Sequence, residues 1–118
     1  MSNYQIRILP SFEEDLNQIV DYIALTLSNP SAAMNLVENV HKAIEERAKY
    51  PLSFQPFLSQ KKRKHPYYVI RVGNYSIFYV MIESVIEIRR ILYSKRHLDS
   101  HLLKDKAPIA KIRAFFIS

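Results

Sequence analysis

Residues 67–93 read YYVIRVGNYSIFYVMIESVIEIRRILY. β-Branched and aromatic residues dominate this stretch, and such side chains fit a pleated, half-buried surface. Two short breaks divide it. Gly73-Asn74 can take the positive φ of a tight hairpin turn, and Glu83-Ser84 separates the next pair of runs. The division predicts strands over 67–72, 75–82 and 85–93. Connections this short force each strand antiparallel to the next, so the stretch reads as a three-stranded meander.

Working outward, Tyr4 to Leu9 alternates, with Tyr4, Ile6 and Ile8 on one side and Gln5 and Arg7 on the other, as in a half-buried strand. Ser11 follows as an expected helix N-cap, with Glu14 placed to close a capping box. Phe12, Leu16, Ile19, Val20, Ile23 and Leu27 then recur at helical spacing and paint one apolar stripe. Asn29 is an expected cap for a second helix, with Pro30 at its first position, where a missing N–H costs nothing. Ala33, Val37, Val40 and Ile44 form that helix's buried face, widened by Leu36 and Ala43, and Tyr50-Pro51 ends it. The pattern β-α-α-β-β-β predicts an α+β fold, a helical hairpin on one face of a mostly antiparallel sheet. The other face is expected to be concave and partly open, with basic residues on it or at its rim.

The chain has 118 residues, 48% of them hydrophobic, with no Cys. That length fits one domain, and the lack of thiols excludes disulfides and thiolate metal sites. No apolar run approaches the roughly 20 residues needed to cross a bilayer, and the opening MSNYQIRILP lacks the sections of a secretion signal. A cytoplasmic protein with no membrane contact is expected. Charge is uneven: residues 1–50 carry four Lys/Arg against seven Asp/Glu, and residues 51–118 carry thirteen against four. One side of the molecule should therefore attract polyanions, either nucleic acid or an acidic protein. The run Lys61-Lys62-Arg63-Lys64 stands on a loop before the meander, and a short helix is expected from Leu98 to Leu103.

The order of elements and several strings resemble the RelE/ParE toxin superfamily. The similar parts are YQIRILPSFEEDLNQIVDYI, NPSAAMNLVENVHKAI and YYVIRVGNYSIFYVMIESVIEIRRILYSKRHLDSHLL. The resemblance covers Tyr4 to about Leu103 and implies a toxin domain over 1–104; the C-terminal tail over 105–118 falls outside it, and there Ile109, Ile112, Phe115 and Phe116 keep the spacing of a short helix. It also implies a toxin made with an acidic antitoxin that wraps its active face, as a homodimer or as a heterotetramer with the antitoxin. RelE-like members cut ribosome-bound mRNA; ParE-like members inhibit DNA gyrase without chemistry.

Metal-free RNA cleavage needs a base for the 2′-hydroxyl, cations for the phosphorane and an acid for the leaving oxygen. Carried over from the resemblance, Arg71 before the Gly-Asn turn and Arg96 in Tyr-Ser-Lys-Arg are the candidate phosphate-holding residues. His97 is a candidate acid or base, since an unperturbed imidazole changes charge near neutrality. Tyr93, next to the basic closure, is a candidate stacking or catalytic group. Lys61, Lys62, Arg63, Lys64, Arg89 and Lys95 are candidate nucleic-acid contacts, because backbone phosphates supply most non-specific affinity. His97 and His101 stand four apart, but no carboxylate spacing completes a metal set, so neither metal nor cofactor is expected. Glu83 and Glu87 read as surface acids, and Phe78 as core.

The strand that carries a phosphate-binding Arg in active nucleases reads Tyr75-Ser76-Ile77-Phe78-Tyr79, so Ser76 stands in its place. The first expectation is a ribosome-dependent mRNA endoribonuclease that inhibits translation. The alternative is a ParE-like, non-enzymatic gyrase inhibitor, toward which Ser76 leans. A third reading is a member that pairs with an antitoxin but harms nothing.

Overall fold

A computed structural model describes residues 4–56 and 64–94. The order is β1 (Gln5–Ile8), α1 (Pro10–Asp21), a π-turn (Tyr22–Thr26), α2 (Pro30–Lys49), β2 (Tyr68–Val72), β3 (Tyr75–Ile82) and β4 (Val85–Tyr93). The strands form one sheet in the order β1-β4-β3-β2. The meander is antiparallel, whereas β1 lies parallel to β4, Gln5 facing Val85 and Ile8 facing Ile88. The fold is α+β, as expected. The expected Leu98–Leu103 helix and the 105–118 tail lie outside the described residues.

Cross-strand pairs share a face, and Tyr79 identifies the helical one. Its hydroxyl donates to the Pro51 carbonyl at 2.8 Å and accepts from Arg47 of α2 at 3.0 Å. Burial pushes the Tyr79 phenol up, against the lowering effect of the Arg47 bond. Tyr68 and Ile88 are its cross-strand partners, and Ile70, Ile77, Ile86 and Ile91 complete this side of the core. Ser76, Phe78, Val80 and Leu92 belong to the opposite face. That face is not open there: the first three are 0% exposed and Leu92 is 3% exposed. Tyr67, just before β2, lies edge-on against Phe78 with ring centroids 5.9 Å apart.

Three local expectations change. Ser11 does not cap α1. The cap is Leu9, with Pro10 already in the first turn and no side-chain bond, because Ser11 Oγ instead donates to the Arg89 carbonyl at 2.8 Å. The first helix does not run unbroken to Leu27 but widens into the π-turn at Tyr22. Nor is β1 half-buried, since Ile6 and Ile8 are 41% and 38% exposed on an edge strand. Asn29 does cap α2, accepting from the Ala32 N–H at 3.1 Å. Gly73 takes φ +57° in the β2–β3 turn, as the hairpin reading requires.

β1 covers β4 only as far as Ile88, and α1 takes over beyond it. The Leu9 N–H donates to Ile88 O at 3.0 Å, Ser11 Oγ to Arg89 O, and the Ile91 N–H to Asp15 Oδ2 at 3.2 Å. Main-chain and side-chain groups of the helix start thus satisfy an edge that a longer strand would otherwise have to pair.

Candidate functional site

Four strand residues carry guanidinium groups: Arg7, Arg71, Arg89 and Arg90. Three are held by carboxylates. Arg90 makes a two-point pair with Asp15, Nε to Oδ2 at 2.6 Å and Nη2 to Oδ1 at 2.9 Å. Arg7 Nη1 reaches Glu87 Oε2 at 3.1 Å, and Arg89 Nε reaches Glu87 Oε1 at 2.9 Å. The Arg89 guanidinium also lies over the Tyr67 ring, 5.9 Å from its centroid. Glu87 is therefore not the surface acid that its place in the sequence suggests, being only 7% exposed. It became buried when β1 laid Arg7 directly beside it.

Burial pushes the Glu87 carboxyl up, but the bonds from Arg89 and Arg7 outweigh that and hold it below its ordinary 4.5. A depressed carboxyl stabilises the fold above its ordinary pKa, and the contribution is lost as pH falls through the depressed value. Glu87→Gln should therefore be less stable near neutrality by about 1–3 kcal/mol and should lose stability less steeply on acidification. Urea midpoints measured between about pH 3 and 7 for both proteins check this, and parallel curves would contradict it.

Arg71 differs from the other three. It is exposed, and among the described residues no carboxylate pairs with it. Its Nη1 instead donates to Ser76 Oγ at 3.0 Å, directly across the β2–β3 ladder. Ser76 Oγ in turn lies 2.6 Å from Ser94 Oγ, and the Ser94 N–H donates to Asn74 O at 2.6 Å. A buried hydroxyl thus joins Arg71 to the residue at which the chain leaves β4 for Lys95 and Arg96.

Tyr93 is not brought to Arg71. It pairs with Tyr75, ring centroids 5.7 Å apart, and this pair alternates with Ser76 onto the helical face. Burial pushes the Tyr75 phenol up, with Tyr93 and then Tyr22 adding to the effect. Lys64 is exposed at the edge of the described residues. Arg96, His97, Lys95, Lys61, Lys62 and Arg63 lie outside them. No group of three His, Asp or Glu among the described residues could hold a metal. On the acidic side, Ile8, Phe12, Leu16 and Ile44 floor a hollow of about 450 Å³ between β1 and the helices, rimmed by Glu13, Asn17 and His41.

Residues 6–98 match the model of the ParE toxin of type II toxin-antitoxin system, parDE. The chain belongs to the ParE toxin family. This ParE-family chain is the toxin component of a type II toxin–antitoxin system. Among solved structures it resembles the chromosomal ParDE TA system from P. aeruginosa with a TM-score of 0.61 and 16% identity, over 75% of this chain and 92% of that one. That likeness is one of fold. The RelB-RelE antitoxin-toxin complex from Methanococcus jannaschii matches with a TM-score of 0.46 and 28% identity, over 75% of this chain and 91% of that one. Curated protein sequences provide no match. No described helix of the ParE-family chain is long and apolar enough to cross a membrane.

The sequence reading missed Asp15 and Glu87 as the groups that fix Arg90 and Arg89. The one available signal was their position: an acid in the first turns of an amphipathic helix and an acid alternating with isoleucines in a strand.

Proposed function

We propose that this toxin acts by binding DNA gyrase and inhibiting it without chemistry, and that it is held inactive by an acidic antitoxin. The observation that carries the reading is the state of the cations on the sheet. Stabilising a phosphorane calls for guanidinium groups free to converge on one phosphate, whereas Arg7, Arg89 and Arg90 are already occupied by Glu87 and Asp15. The strand position where RelE-like nucleases carry an Arg holds Ser76, which faces the interior. Membership of the ParE family leans the same way and reverses the order of the two expectations drawn from sequence. A partner with acidic side chains suits the basic half of the chain, and the family is that of toxins of type II toxin-antitoxin systems. The site of action would be the cytoplasm, where gyrase meets the chromosome.

The test is a supercoiling assay with purified gyrase and full-length toxin. Inhibition that the antitoxin relieves is expected. Gyrase that stays fully active, with toxin-dependent cuts in ribosome-bound mRNA, would return the ribonuclease reading to first place.

A further inference from the structure

We infer that Ser76 is a positioning residue that presents the Arg71 guanidinium as a preset anchor for an acidic side chain of the toxin's protein target; the inference rests on the binding-toxin reading above. Serine in the interior of a strand must find hydrogen-bond partners or carry a desolvation cost. Ser76 is 0% exposed, and its hydroxyl is satisfied from two sides, by Arg71 and by Ser94. The arrangement holds one guanidinium nitrogen of a residue that is otherwise exposed. A long side chain restrained before binding loses less entropy when it is captured. Its fork is suited to two-point recognition of a carboxylate.

Charge separates Arg71 from its neighbours. The other three strand guanidiniums are bonded to Asp15 or Glu87, Arg7 and Arg89 sharing the one Glu87 carboxylate, and a partner's carboxylate would have to compete with those bonds. At Arg71, among the described residues, it would meet no competing carboxylate. The bond from Ser76 to Ser94 and the bond from Ser94 to Asn74 also tie the end of β4 to the β2–β3 turn. The anchor is thereby linked to both the β2–β3 turn and the end of β4. Ser76 thus has a role other than filling the place of a lost arginine.

The experiment compares full-length wild type, Arg71→Ala, Ser76→Ala, the double variant and Ser76→Thr. Each is scored for half-inhibition of gyrase supercoiling and for growth arrest on induction at matched soluble levels, with thermal melts as the folding control. Arg71→Ala, an exposed change, should weaken inhibition about tenfold, the scale of one charge-assisted hydrogen bond. Ser76→Ala should weaken it by about threefold, the double variant should be no weaker than Arg71→Ala alone, and Ser76→Thr, which keeps the hydroxyl, should restore function. Additive effects, or a Ser76→Ala protein as potent as wild type, would overturn the inference. So would mRNA cuts that vanish in Arg71→Ala, which would place the guanidinium on phosphate. If gyrase is untouched but growth arrest shows the same coupling without mRNA cuts, the gyrase reading fails and the anchor stands.

Discussion

Replacing Asp15 with Ala should remove about 3–5 kcal/mol of stability, a large part of the roughly 5–15 kcal/mol that holds a domain together. The side chain of Asp15 is 5% exposed and accepts hydrogen bonds from Arg90 at two points and from the Ile91 N–H. Alanine would leave the Arg90 guanidinium, itself only 17% exposed, buried without its counter-charge, and would orphan a backbone donor on β4. Burying an unpaired charge costs far more than the pair contributes. The same physics predicts that Asp15→Ala combined with Arg90→Met recovers most of the loss, because both charges then disappear together. Urea unfolding with an unchanged slope would measure both effects. A loss under about 1 kcal/mol for Asp15→Ala would show that water reaches the pair.

Phe78→Ala should cost about 3–5 kcal/mol, the range for truncating a fully buried aromatic. Phe78 alternates with Ile77 and Tyr79, so it points away from the helical hairpin, yet it is 0% exposed. The result therefore reports on whether the second face of the meander is packed. Ile77→Val, on the helical face, is the natural control at about 0.5–1.5 kcal/mol. A Phe78→Ala cost as small as that control would mean the far face is open, as the sequence alone had suggested.

The strands of the meander were legible to within one residue. They are runs of Ile, Val, Tyr and Phe cut by two short turns, and β3 and β4 fall on the residues between those turns and Tyr93, while β2 starts at Tyr68. Asn29-Pro30 was legible too, because the capping bond is local. What escaped was set by partners far along the chain. Ser11 looks like a cap until the Arg89 carbonyl, 78 residues away, claims its hydroxyl. Glu87 looks exposed until β1 lies parallel beside it. The π-turn escaped because Ile23 continues the apolar stripe of α1 and is still packed against the core, so the pattern carries no mark of the wider turn. At the site, Arg71 could be picked out by resemblance, but Ser76 registered only as a missing arginine. Its hydroxyl gains a role only once the strand register sets it across from Arg71.

The most direct measurement is the topology of a reporter plasmid taken from cells shortly after the toxin is induced, with transcript ends mapped in the same culture. Relaxed plasmid beside intact messages is the predicted result. Normally supercoiled plasmid beside codon-linked cuts would contradict the binding mechanism and make this chain a nuclease.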